Sequence, residues 1–133
     1  MISEADIDNV LTDHLAAMSG LPPVAWPNKD LPTGTDRPYL VVQMVPTSRT
    51  DRTIKGGRAN SRGYMTVTVV SDVDTWETES KRLADDISER FAQPMSLPVT
   101  GGTITITKPP EVQRGYRDGP RWRVPVRIDY LAH

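Results

Sequence analysis

The sequence contains no cysteine, so neither disulfides nor thiolate metal sites are open to it, and a reducing compartment is compatible with it. Its two histidines, His14 and His133, are too few to build a structural zinc site by themselves. Phenylalanine occurs once, and the tryptophans and tyrosines fall mostly at inward positions, which leaves no exposed aromatic platform for single-stranded nucleic acid. No stretch approaches the roughly 20 apolar residues of a membrane span, and the opening Met-Ile-Ser-Glu is acidic rather than basic, so neither anchoring nor export is signalled. An excess of one charge is missing too: a formal net charge of -1 over 133 residues argues against a dedicated duplex-binding protein.

The motifs of common chemistries are absent as well. There is no Gly-x-Ser-x-Gly elbow, no Walker loop and no dinucleotide fingerprint, and the glycine pairs at 56 and 101 lack the lysine and the strand-to-helix setting of a phosphate cradle. Asp72 with Asp74, and Asp85 with Asp86, are close carboxylates of the kind that tune one another for acid/base work. Asp74 is better explained as a helix cap, and Asp85 and Asp86 as surface, so the chain is expected to be neither an enzyme nor a cofactor protein.

What is present is enough apolar surface, 37% of residues, for one hydrophobic core, and a single domain over 1–133 is expected. Ser3 followed by Asp6 resembles a helix start, and Ile7, Val10, Leu11, Leu15 and Met18 recur at helical spacing until Gly20. The prolines at 22, 23, 27, 32 and 38 impose an extended crossing in which Val24 and Trp26 can still enter the core. Tyr39 to Val45 is an apolar run expected as a strand near the sheet centre, stopped by Pro46. A second strand is expected over Tyr64 to Val70.

Between them, residues 47–62 carry Arg49, Arg52, Lys55, Arg58 and Arg62 against Asp51 alone, a net of +4, around Gly56-Gly57. With Ile54 its only sizeable apolar group, this segment is expected as a long basic hairpin loop that takes its order from a partner. Asp74 and Glu77 form a capping box for a second helix reaching about Ala92, with Trp76, Leu83, Ala84, Ile87 and Phe91 on one side. Pro94 to Pro98 is taken as a connection, and Thr103 to Thr107 as a third strand with Ile104 and Ile106 inward.

The closing run Trp122-Arg-Val-Pro-Val-Arg-Ile-Asp-Tyr130 puts Trp122, Val124, Val126, Ile128 and Tyr130 on one face and Arg123, Pro125, Arg127 and Asp129 on the other. From Arg121 to Leu131 it would reach roughly 35 Å, which implies projection beyond the domain's own sheet; Pro125 favours an edge, a bulge or a break into two shorter strands. The expected class is α+β, in the order α-β-β-α-β-β, with a mainly antiparallel sheet of about four strands and two helices packed on it.

Val24-Ala-Trp-Pro-Asn28 after an opening helix, Pro38-Tyr-Leu-Val-Val42 starting a strand, and Gly115-Tyr-Arg-Asp-Gly119 leading into the closing run together resemble small phage tail-terminator, or tail-completion, proteins. The resemblance implies a structural virion protein with no cofactor, sited at the neck end of the tail and assembled in the host cytoplasm. It further implies a six-fold ring that caps the tail tube, ends tube polymerisation and offers a surface for head joining. The implied partners are copies of itself, the major tail tube protein and head-tail connector proteins. No membrane and no specific nucleic acid are implied, though DNA would pass through the ring. Independently of any family motif, Arg49, Arg52, Lys55, Arg58 and Arg62 are candidate contacts to a neighbouring subunit or the tube, and Arg121, Arg123 and Arg127 are candidates for a ring seam. A head-tail connector or neck ring protein is the alternative, and a nucleic-acid-binding regulator using the basic loop is a further one.

Overall fold

A computed structural model describes residues 3–18, 20, 22–26, 39–51, 59–72, 77–92 and 95–133. In chain order the elements are α1 (Glu4–Ala16), β1 (Val24–Ala25), β2 (Tyr39–Asp51), β3 (Ala59–Asp72), α2 (Glu77–Arg90), β4 (Met95–Val99), β5 (Gly102–Ile106), β6 (Glu111–Val112), β7 (Tyr116–Asp118) and β8 (Arg121–Ala132). Six strands lie side by side in the order β1-β2-β3-β8-β5-β4, and β6 and β7 also pair with β8, making an eight-stranded sheet. β1 runs parallel to β2 and the remaining pairs are antiparallel.

This corrects the expected α+β class. The molecule is dominated by one mixed sheet, larger than four strands and in a different element order. The extra strands come from segments whose prolines and short lengths hid them. Met95–Val99 contains Pro98 yet forms β4, because an edge strand tolerates a residue without a ladder donor. β2 does not stop at Pro46 but shifts register between Pro46 and Ser48 and continues to Asp51, so the first part of the expected 47–62 loop is ladder.

The closing strand is also placed differently. β8 does not project; it pairs with β3 from Arg121 to Ala132, and on its other side with β7, β6 and β5 in turn. Nor is it broken at Pro125, which sits opposite Thr68 in mid-sheet. The N–H and C=O of one strand residue point to the same side, and the Pro125 carbonyl accepts from Gln113 N at 2.8 Å. The missing donor therefore faces the interval between β6 and β7, where no ladder partner asks for it.

Core formation follows the alternation of β8. Val124, Val126, Ile128, Tyr130 and Ala132 are buried. Beside them on the same face are Met65, Val67 and Val69 of β3, Leu40 and Val42 of β2, and Ile104 and Ile106 of β5. α1 covers this face with Ile7, Leu11 and Leu15, and α2 with Ala84, Ile87 and Phe91. Each valine, leucine, isoleucine, methionine or phenylalanine among them contributes about 1.5–3 kcal/mol on full burial. Val24 and Trp26 pack at the margin of this cluster. The Asp74–Glu77 capping box and Trp76 lie outside the residues whose side chains are described.

Two joints fix the helices. His14 Nε2 lies 2.9 Å from Arg90 O, and because a carbonyl only accepts, that nitrogen carries the proton. Arg90 Nε donates in return to His14 O at 2.9 Å, and the His14 ring meets Phe91 edge-on at 4.9 Å. At the far end of α2, the buried hydroxyls of Ser71 and Ser80 are 2.8 Å apart.

Candidate assembly interface

The face of the sheet turned away from the helices carries the polar row of β8. Arg121 Nη1 donates to Tyr39 Oη at 2.6 Å, and its guanidinium lies 5.7 Å from the Tyr39 ring centroid. Arg123 Nε donates to Asp118 Oδ2 at 2.8 Å, joining β8 to β7. Arg127 donates twice to Asp129 Oδ1, at 3.2 and 3.1 Å, and stacks 3.9 Å from the centroid of Tyr64 on β3. Its proton is held more tightly than usual, first because of the Asp129 bond. Asp129 Oδ2 lies 3.5 Å from Lys108 Nζ, which also pairs with Glu111 Oε1 at 3.0 Å. The Lys108 ammonium is likewise held protonated, chiefly by Glu111. All three arginines of β8 thus have partners within the chain.

The basic segment is arranged otherwise. Arg49 lies on β2 opposite Ser61, and Arg62 lies on β3 opposite Ser48, with an exposed side chain. Arg52, Lys55 and Arg58 fall outside the described residues. The pairing of β3 with β8 begins at Ser61 opposite Ala132, whereas the pairing of β2 with β3 continues through Thr50–Asn60 to Asp51–Ala59. Beyond Ser61 the two strands leave the sheet as a ribbon. Its base is narrow: a Cβ on Gly63 would stand 2.7 Å from Val45 O and 2.7 Å from Tyr130 Oη, so only glycine fits where β2, β3 and β8 converge.

A second tight contact lies in the expected family motif. A Cβ on Gly115 would meet Trp122 Nε1 at 2.7 Å, and this buried indole nitrogen has no hydrogen-bond partner among the described residues. Gly115 thus lets the chain between β6 and β7 lie directly on Trp122 and leaves Tyr116 and Val112 as exposed apolar side chains. Sequence alternation placed the β8 arginines on one face but gave no sign of their internal partners, which come from β2, β3, β7 and β8 itself. Among the described residues no cluster of potential metal ligands occurs, and no helix is long and apolar enough to cross a membrane.

A family model described as phage tail terminator protein matches residues 6–130, which includes both helices and nearly all of the sheet. The chain belongs to the phage tail terminator family. The protein is therefore a phage tail structural protein, from a family of structural proteins rather than of enzymes. Its fold recurs in one solved structure with a TM-score of 0.76 and 20% identity over 97% of this chain and 92% of that one. It recurs also in a chain from the virion of a native gene transfer agent particle, with a TM-score of 0.67 and 17% identity over 98% of both chains. No curated protein matches the chain.

Proposed function

We propose that this protein closes into a six-fold ring on the last ring of the tail tube, ends tube polymerisation there and presents its other side for joining the head. Family membership supports the tail-end role, and the occurrence of this fold in a gene transfer agent virion is in keeping with it. The observation that carries the reading is the β2–β3 ribbon, which continues past the last β3–β8 pair through Thr50–Asn60 and Asp51–Ala59, within a stretch, 47–62, whose sequence has a net charge of +4. A ring whose copies must grip a neighbour gains from a cationic extension of each subunit.

In this reading Arg49, Arg52, Lys55, Arg58 and Arg62 contact the neighbouring copy or the tail tube protein. Arg121, Arg123 and Arg127 stiffen the sheet face behind the seam. Head-tail connector proteins meet the opposite side, and DNA passes through the centre without sequence recognition. The ring sits at the neck end of the tail and is added in the host cytoplasm. Purified protein mixed with polymerising tail tube protein and imaged by negative stain should give tubes capped at one end. Tubes that grow uncapped, or binding to portal or adaptor rings alone, would overturn the proposal.

A further inference from the structure

The sheet ends in two edges of different kind, and we infer that they meet: β4 of one copy pairs with the ribbon portion of β2 in the next copy, which continues the sheet across the seam of the ring. The inference rests on the ring reading above, and it names the contact that would close that ring.

Register traced across the sheet shows why these edges correspond. Ser96 lies opposite Thr105, Thr105 opposite Leu131, Leu131 opposite Arg62, and Arg62 opposite Ser48. One row further, the same succession leads from Leu97 to Arg49. β4 therefore stands at the height of Ser48 and Arg49, where the ribbon begins, on the far side of the sheet, rather than at the height of the β2–β1 pairing. β1 covers β2 only at Leu40 and Val41, so among the described residues nothing pairs with the outer edge of β2 from Val42 onward. Pro46 and the register shift after it interrupt that edge, so Ser48–Asp51 forms a separate stretch that no strand among the described residues covers.

β4 lacks the usual protection of an edge. Met95-Ser-Leu-Pro-Val99 contains no charged residue; its exposed side chains are Ser96 and Pro98, and Met95, Leu97 and Val99 are half-buried at the margin of the core. Natural sheets blunt their edges with charge, above all lysine, and an uncharged edge with apolar flanks invites another strand. The occupant is a second copy because a closed ring requires a heterologous contact, in which two different surfaces of one chain fit each other. Opposite ends of one sheet, at one height, meet that requirement. A tube subunit would need to match only one of them.

The absence of cysteine gives the test a clean background. Ser48 and Ser96 share a row of the sheet, so the pair Ser48→Cys and Ser96→Cys on one chain should be joined between copies by a short thiol-thiol cross-linker on capped tubes. The expected product is a ladder rising beyond the dimer to the closed ring, with each single variant giving none. Dimers alone would mean that the contact is isologous, and no links on tubes that are capped would mean that the seam lies elsewhere; either overturns the inference while leaving the capping role intact. If wild-type protein fails to cap tubes, the capping role fails, and the same ladder sought from concentrated free protein decides the seam separately.

Discussion

Tyr130 shows how far one side chain can be shaped by neighbours distant in sequence. It is buried on the core face of β8, its hydroxyl stands over Gly63 at the ribbon base, and its pKa is pushed up to about 12, first by burial and then by the carboxylates of Glu4 and Asp8 on α1. The folded chain thus holds this proton more tightly than the unfolded chain, whose tyrosines titrate near 10. Stability from the neutral phenol is complete below about pH 10 and is lost as the pH rises toward 12. Tyr130→Phe should flatten that alkaline decline, as measured by urea midpoints at successive pH values; an unchanged slope would show that the loss arises elsewhere. Asp8 obeys the same sign, since burial and then Glu4 raise its pKa, so its charge opposes folding once the pH passes above the carboxylate range. Alternation in the sequence was sufficient to turn Tyr130 inward. Its meeting with Gly63 was not legible, because that depends on the register of strands brought together only by the fold.

Among the elements, the helices were the easiest to read, and the reason lies in their period. Ile7, Leu11 and Leu15 repeat at the helical interval and are all buried, as are Ala84, Ile87 and Phe91. The sheet was harder, because β1, β6 and β7 are two or three residues long and carry no period at all. Their existence depends on what lies beside them: β6 and β7 form because β8 offers an edge on each side of Pro125. The joint between the helices was invisible for a similar reason. Nothing in the pattern around His14 indicated that the backbone of Arg90 would take up its ring and that Arg90 would answer through its own side chain. Replacing Arg90 by Ala removes one of these two bonds and leaves the His14 carbonyl without its donor. The expected loss is about 1–2 kcal/mol by urea denaturation. His14→Ala should cost a similar amount, and the double variant should lose less than the sum, because the two residues form one joint. Strict additivity would show that the helix ends are held independently.

At the scale of the whole molecule, charge is divided between surfaces that stabilise the fold and surfaces left over from it. The β8 arginines belong to the first kind: each is tied to Tyr39, Asp118 or Asp129. Arg62 belongs to the second, being exposed at the root of a ribbon that leaves the sheet. The sequence offered Arg49, Arg52, Lys55, Arg58 and Arg62 as contacts to a neighbour or the tube and Arg121, Arg123 and Arg127 as a ring seam, and formal charge alone could not say which of them the fold also uses within the chain. The difference is measurable in two readouts. Arg127→Ala removes both the Asp129 bonds and the stack on Tyr64, and should lower the unfolding midpoint while protein that remains folded still caps tubes. Arg62→Glu should leave the midpoint unchanged and weaken capping by about tenfold or more, since reversing a charge at a complementary seam replaces attraction with repulsion. The Arg62 effect should shrink with added salt, as expected of a charge exposed at a rim. If Arg127→Ala abolished capping without altering stability, or Arg62→Glu left capping intact, the division would be reversed, and the seam would have to be sought on the flat face of the sheet rather than along the ribbon.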